Sequence, residues 1–360
     1  MEFGLSKEQT LLQESVARYF DRGAPLERVR RFVDDREQRA SEVWQGFCEL
    51  DAAALTIAEE HGGLGLSLLD AALVAEVLGS RVAPVPFAAT AVMVPLALTL
   101  AGSQAQQRKH LPQLASGGAI AGAALGGLVS RRDDAGVHAH GATLEGRALF
   151  VLDFEADFYL VAAEDRTMYL VESSAPGLTR RLLPTIDGSR RLGELVFSDV
   201  PAELLPGSAD PEMATRVLDA GRILLAADTL GAAQAMLDKA IAYAKQRVQF
   251  GRPIGSFQAV KHMCAEMAAE LEPCRAMLWY AAYAFEAIRD EARLTACHTK
   301  AHVCEVATRV ARTATEVHGG IGFTDELGLH LWFKRIGANR QLLGSPDQLR
   351  EEAARVQGLI

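Results

Sequence analysis

The sequence predicts an α+β fold with a helical N-terminal domain over residues 1–117, a small middle β domain over 118–208 and a C-terminal four-helix bundle over 209–360. Three observations carry this. Ala and Leu dominate a chain that is 49% hydrophobic but only 6% aromatic, a composition suited to closely packed helices. Apolar residues recur at helical spacing towards both ends. Near Gly117 that period gives way to short alternating runs divided by turn clusters. At 360 residues the chain can bury cores of this size in two or three domains.

The elements follow in order. Ser6 with Gln9 forms a capping box, and Leu11, Leu12, Val16 and Phe20 continue at helical spacing. Further helices are predicted over about 40–54, 68–80, 88–102 and 104–116. Between the first two lies Glu59-Glu-His-Gly-Gly-Leu-Gly-Leu-Ser67, a glycine loop ending at a Ser N-cap. No strand precedes it and its spacing is not that of a dinucleotide fingerprint, so it reads as structural. From about 119 to 205 the runs Phe158-Tyr-Leu-Val-Ala162, Met168-Tyr-Leu-Val171 and Leu192-Gly-Glu-Leu-Val-Phe197 read as strands, with turns such as Ser173-Ser-Ala-Pro-Gly177. From about Pro211 the helical period returns with Val217, Leu224, Leu230 and Leu237 and persists almost to Ile360. The long helices are expected over about 212–248, 256–289 and 292–318.

The formal charge of −9, with dispersed Lys and Arg, argues against a nucleic-acid partner. Five cysteines (Cys48, Cys264, Cys274, Cys297 and Cys304) show no Cys-x-x-Cys spacing and read as small buried hydrophobes in a reducing compartment. The N-terminus has neither a basic n-region nor an apolar h-region, and no run approaches the roughly 20 apolar residues that span a bilayer. The expectation is a soluble, cytoplasmic protein without membrane contact. His138 and His140, with Asp133 and Asp134 upstream, lie in a Gly/Asp-rich segment that reads as a solvated turn, with no metal site.

Three motifs bear on chemistry. Arg247-Val-Gln-Phe-Gly-Arg-Pro-Ile-Gly-Ser-Phe-Gln258 interrupts a helical pattern with a Gly/Pro turn and presents a cation, a ring and an amide. Glu316-Val-His-Gly-Gly-Ile-Gly-Phe-Thr324 places three glycines in four positions at a helix end. A backbone thinned to glycine beside cations and amides suits a large, flat, phosphate-bearing ligand. Taken singly, Arg247 is a cation completing a helix dipole and the glycines are a C-cap. His318 is a candidate acid/base, with packing the better reading. In Asp219-Ala-Gly-Arg222, Asp and Arg share a helix face at i and i+3, which an ion pair alone would explain.

These segments, with the glycine loop and Val82-Ala-Pro-Val-Pro-Phe87, resemble the flavin-dependent acyl-CoA dehydrogenases and follow that family's order over the whole chain. The resemblance implies FAD as cofactor, an acyl-CoA substrate, a tetramer and an electron-transfer flavoprotein as acceptor. In that family a carboxylate removes the α-proton of the thioester while the β-hydrogen leaves as hydride to the flavin. Arg247 and Phe250 match the Arg-x-x-Phe-Gly element that reaches a neighbouring subunit's FAD, and Gln258 matches an adjacent amide. Glu316, Val317, His318, Gly319 and Gly320 match a Gln-x-x-Gly-Gly element, with Glu316 in place of the usual Gln. An anion there is unfavourable beside a diphosphate unless protonated or turned away. Asp219 and Arg222 match an element that touches the CoA portion of the substrate.

The family's catalytic glutamate occupies one of two positions, and here these are Gly221 and Leu343. Neither residue can accept a proton, and no other catalytic base is assigned. Asp228 and Asp238, on the long helix after 212, are candidates for a relocated base that nothing places over a substrate. The flavin-facing segment Ala123-Ala-Leu-Gly-Gly-Leu-Val-Ser-Arg-Arg132 lacks the family's hydroxyl-rich signature, and the following wall element reads Phe150-Val-Leu152. The pattern implies a hetero-oligomer subunit that lends FAD contacts to a catalytic partner, as in heteromeric relatives acting on steroid-derived thioesters. The alternatives are a self-sufficient homotetramer with a relocated base, and a non-enzymatic scaffold or CoA-thioester-binding protein.

Overall fold

The computed structural model describes residues 4–129 and 135–360. The N-terminal region holds α1 (Lys7–Gly23), α2 (Leu26–Asp34), α3 (Ser41–Cys48), α4 (Leu68–Ser80), α5 (Val94–Ala101) and α6 (Gln104–Ala115). Both bonds of the Ser6–Gln9 capping box are made, and Ser67 caps α4 in the same way with Asp70. The glycine loop runs from a short turn at Glu59–His61 to that cap. The first core layer is aromatic: the Phe20 and Phe47 rings lie 5.1 Å apart, and Phe47 meets Phe87 at 6.0 Å.

Three N-terminal expectations need correction. The helix expected over about 40–54 stops at Cys48, and Asp51 adopts a φ of 56°, which no helix continues through. The helix expected over about 88–102 divides into a π-turn, Ala88–Met93, and α5. At that wider turn the Ala89 amide donates to Asp153 (2.7 Å) and the Thr90 hydroxyl to Ala121 O (3.0 Å), so the turn is anchored to the β domain. α2 lies outside the helices expected from periodicity; its nine residues bury Val29 and Phe32.

The middle region contains β1 (Ala121–Ala124), β2 (Gly136–His140), β3 (Thr143–Val151), β4 (Phe158–Ala162), β5 (Met168–Glu172), β6 (Leu178–Leu182), β7 (Gly193–Pro201) and β8 (Glu203–Leu204). They form two four-stranded sheets, ordered β1-β4-β5-β8 and β2-β3-β7-β6. Among the described residues only the β1–β4 pairing is parallel, and a bridge between Ala123 and Leu152 joins the sheets. His138 and His140 therefore stand on a strand rather than in a loop, whereas Asp133 and Asp134 lie outside the described residues.

The C-terminal region begins with α7 (Pro211–Gln246), followed by a hairpin of β9 (Val248–Gln249) and β10 (Arg252–Pro253). Then come α8 (Gln258–Ala287), α9 (Arg289–His318), α10 (Leu329–Gln341) and α11 (Pro346–Val356), which with α7 make up the expected C-terminal helical domain. α4 crosses α7 so closely that a side chain on Gly79 would strike the carbonyl oxygen of Asp228, and one on Gly231 would strike that of Glu76. One core thus runs through both helical regions. The five cysteines are free, and Cys274, Cys297 and Cys304 are buried. Among the described residues no helix is long and apolar enough to cross a membrane.

Candidate functional site

The two glycine-bearing segments meet at one end of the helical region. α7 closes at Arg247, whose amide donates to Tyr243 O, and the chain turns through Phe250 and Gly251 at φ 52° and 75°. α9 closes at Gly319, whose φ of 65° ends the helix. His318 joins the two ends. Its ring stacks on Tyr243 at 4.7 Å and its Nδ1 lies 2.7 Å from Ala314 O, so this buried histidine packs rather than faces a ligand. Val317 is buried beside it.

Several other motif side chains point outwards, whereas Ile254, Ser256, Phe257 and Ile321 are partly buried. Phe250 is 92% exposed, and Phe323 just past the glycines is 81% exposed. Arg247, Gln258 and Glu316 are exposed, and among the described residues their side chains have no hydrogen bond or ion pair within the chain. A cation, a ring, an amide and two glycines are therefore exposed in the two motifs.

Gly221 and Leu343, the two positions at which the resemblance leads one to expect a base, lie next to each other although 122 residues separate them. A methyl group on Gly221 would meet Leu343 Cδ1 at 2.7 Å and the Met93 side chain at 2.8–2.9 Å. Gly221, Leu343 and Met93 are all buried, so the space between the two positions is filled by hydrocarbon. Leu343 adopts φ 56°, a left-handed conformation that costs a residue with a Cβ roughly 1–3 kcal/mol.

Beneath this turn lies an ion network. Arg222, with 0% of its surface exposed, donates from Nη1 to Asp219 (2.8 Å), from both Nη atoms to Glu352 (2.8 and 2.7 Å) and from Nε to Leu343 O (3.0 Å). The i,i+3 pair with Asp219 is thus formed. Burial pushes the Asp219 carboxyl up to about 7, against the pull of Arg222. Burial also acts on Glu352, but its bonds to Arg222 and its pairing with Arg293 outweigh it and hold that carboxyl below its ordinary value. Asp219, Cys297 and Glu352 are the one group of potential metal ligands found close together among the described residues, and Arg222 already bonds all three.

A cavity of about 730 Å³ lies between the β domain and the end of α10. Gly126, Gly127, Phe150, Ile186, Gln341 and Leu343 are among its walls. Its volume is in the range of small-molecule sites. Phe150 supplies the aromatic wall at the position noted in Phe150-Val-Leu152, while Val151 and Leu152 are buried. Of the altered segment, Ala123 and Ala124 lie on β1, and the stretch from Ser130 to Arg132 is outside the described residues.

Neither alternative carboxylate borders this cavity. Asp228 is buried in bonds from Arg335 (2.9 and 2.6 Å), Arg190 (3.2 Å) and Asn339 (2.6 Å). Burial alone would raise its carboxyl, but the Arg335 and Arg190 guanidiniums hold it low, which makes it a poor proton acceptor. Asp238 faces a separate groove of about 680 Å³ that α1 and α4 also line. His138 Nδ1 lies 3.7 Å from Glu164 at the surface.

Periodicity missed three participants: Met93, Glu352 and Lys300. Lys300 left a signal, a single cation among Ala296, Cys297, Ala301 and Cys304 on the apolar face of α9.

The fold and the comparisons together define the class, a family of helical–β–helical oxidoreductases acting on CH–CH bonds. Residues 6–118 match the acyl-CoA dehydrogenase N-terminal domain and residues 212–357 its C-terminal domain. The chain is 32% identical to acyl-CoA dehydrogenase IpdE2 of Mycolicibacterium smegmatis, with 98% of this chain and 100% of that protein covered. It superposes on one chain of the ChsE4-ChsE5 complex from Mycobacterium tuberculosis with a TM-score of 0.92 and 25% identity, covering 100% of this chain and 100% of that chain. The Tcur3481-Tcur3483 steroid ACAD gives a TM-score of 0.89 at 29% identity, covering 98% of each chain. The chain belongs to the acyl-CoA dehydrogenase family.

Proposed function

We propose that this chain works in the FAD-dependent α,β-dehydrogenation of a bulky, steroid-derived acyl-CoA thioester, as one subunit of a hetero-oligomer whose partner supplies the base. One observation carries the reading: Gly221 and Leu343, the family's two base positions, pack against each other and Met93 with no carboxylate between them. FAD supplies the hydride acceptor for such a reaction. Arg247 would pair with its diphosphate, Phe250 and Gln258 would lie against the nucleotide, and the Gly319–Gly320 backbone would allow close approach. The exposure of these groups within the chain supports that use. Glu316, exposed and without an internal partner, is free to turn away from the phosphates. Asp219 and Arg222 would act on the CoA portion only indirectly, since Arg222 is enclosed by protein. The relatives' names support the rest: one solved neighbour is a complex of two different proteins, and another is named for a steroid. An electron-transfer flavoprotein is the acceptor we assign.

The cavity of about 730 Å³ favours a second reading, a self-sufficient homotetramer that holds its own flavin there. One experiment separates them. The chain is purified alone and again after co-expression with a family member that retains the glutamate, and the flavin-to-chain ratio and turnover of a steroid-derived CoA thioester are measured. A colourless chain that forms an active yellow complex with one flavin per two chains is the expected result. One flavin per chain in the protein purified alone, with turnover, overturns the division of labour.

A further inference from the structure

Lys300 lies in the middle of α9 with none of its surface exposed, and its Nζ donates to Gly344 O at 2.7 Å. One residue earlier, Leu343 O accepts from Arg222 Nε at 3.0 Å. Two buried cations on different helices therefore hold consecutive carbonyls of the turn between α10 and α11. Leu343 and Gly344 have φ values of 56° and 116°, a region that a leucine does not adopt without outside support. Leu342 to Ser345 also form one wall of the cavity of about 730 Å³.

We infer that Lys300 is a positioning residue: with Arg222 it locks the Leu343–Gly344 turn in its left-handed form and thereby sets the shape of the cavity wall. Packing alone does not call for a lysine here. An apolar side chain of similar length would fill the same space without the desolvation of an ammonium group. The titratable groups that face the amine are Cys297 and Cys304 on its own helix, Arg222 on α7 and Arg340 on α10. Burial first, and then the two guanidiniums, hold the amine down at about 8. The sign of the pH response separates positioning from packing. A folded-state value below the ordinary 10.5 means that this amine's own contribution to stability rises as pH climbs from about 8 towards 10.5, while the buried cysteine thiols, whose values burial raises, contribute with the opposite sign. The bond to Gly344 O, in contrast, weakens over the same range as its donor loses charge.

Hydrogen–deuterium exchange on the full-length chain, without partner or ligand, reads this directly. The reporters are the amide of Ser345, bonded to Gln348 Oε1 at 2.9 Å, and that of Leu349, bonded to Ser345 O at 2.9 Å. After correction for intrinsic exchange, these amides should open about tenfold or more faster above the amine's titration than at neutral pH, a larger change than that of amides in the middle of α7. Lys300→Met should show the fast rate at every pH with an unchanged or higher melting temperature. Equal protection in Lys300→Met and wild type overturns the inference, as does a lowered melting temperature with uniform loss of protection. If the variant fails to fold, the wild-type pH series decides alone, and a flat profile overturns it. Weaker flavin retention by Lys300→Met would follow only under the second reading above, in which the chain holds its own flavin in this cavity. The exchange result does not depend on that reading, so the two can fail separately.

Discussion

Phe250→Ala removes a ring that touches almost nothing of its own chain. The side chain is 92% exposed, and its one aromatic neighbour is Phe257, met edge-on at 6.1 Å between centroids. The isolated chain should therefore keep its melting temperature. Full burial of a phenylalanine stabilises by about 1.5–3 kcal/mol, and about nine-tenths of that surface is still available to a neighbour. Covering it in an assembly is then worth roughly 1.5–2.5 kcal/mol, or about 10- to 70-fold in the dissociation constant. Thermal melts of the single chain and sedimentation of the assembled oligomer measure the two quantities separately. Phe20→Ala, with the ring fully buried in the N-terminal core, is the control and should cost about 3–5 kcal/mol of fold stability. If Phe250→Ala lowers the melting temperature of the single chain and leaves association unchanged, the exposed face is not the interface argued for it.

Three further outcomes follow from the same geometry. Arg247→Ala should leave the isolated chain intact but weaken flavin retention in the assembled complex by about 1.5–3 kcal/mol, read by flavin release on dilution; unchanged retention removes Arg247 from the cofactor's surroundings. Arg222→Met strands Asp219 and Glu352 without their shared guanidinium and should cost about 3–5 kcal/mol in denaturant unfolding, so a loss below about 1 kcal/mol would show that the network contributes little. Asp219 titrates near 7 when folded against an ordinary 3.8, so the folded state binds the proton more tightly, and stability falls as pH rises between those values. Asp219→Asn should flatten that fall, which is at most roughly 4 kcal/mol, and parallel pH–stability curves for the two proteins would refute the assignment.

Much of the fold is legible because helices and strands announce themselves within a few residues. The boxes at Ser6 and Ser67 are complete within four positions, and the long runs of α7, α8 and α9 need only their apolar period. The same locality explains one correction and not another. α2 carries Leu26, Val29, Phe32 and Val33 at helical spacing, so its period was legible, whereas the π-turn at Ala88–Met93 depends on Asp153 and Ala121, which lie far along the chain. Within the site, the Asp219–Arg222 pair was open to a reading at i,i+3, but Glu352, which binds the same guanidinium, lies 130 residues away. Lys300 offered only a cation on an apolar face, and nothing nearby in sequence indicates that its partner is Gly344 O.

By itself the sequence determined the order of helical and β regions, the motifs carried by Arg247–Gln258 and Glu316–Thr324, and the lack of a carboxylate at Gly221 and Leu343. Each rests on residue identity or on periodicity over neighbouring positions. Only the tertiary structure decided that the two motifs meet where His318 stacks on Tyr243, and that Gly221 and Leu343 fill a single apolar contact with Met93. It also decided that two buried cations hold the turn between them. Such contacts are set by how distant helices pack into one core, and no local pattern encodes which side chains that packing brings together.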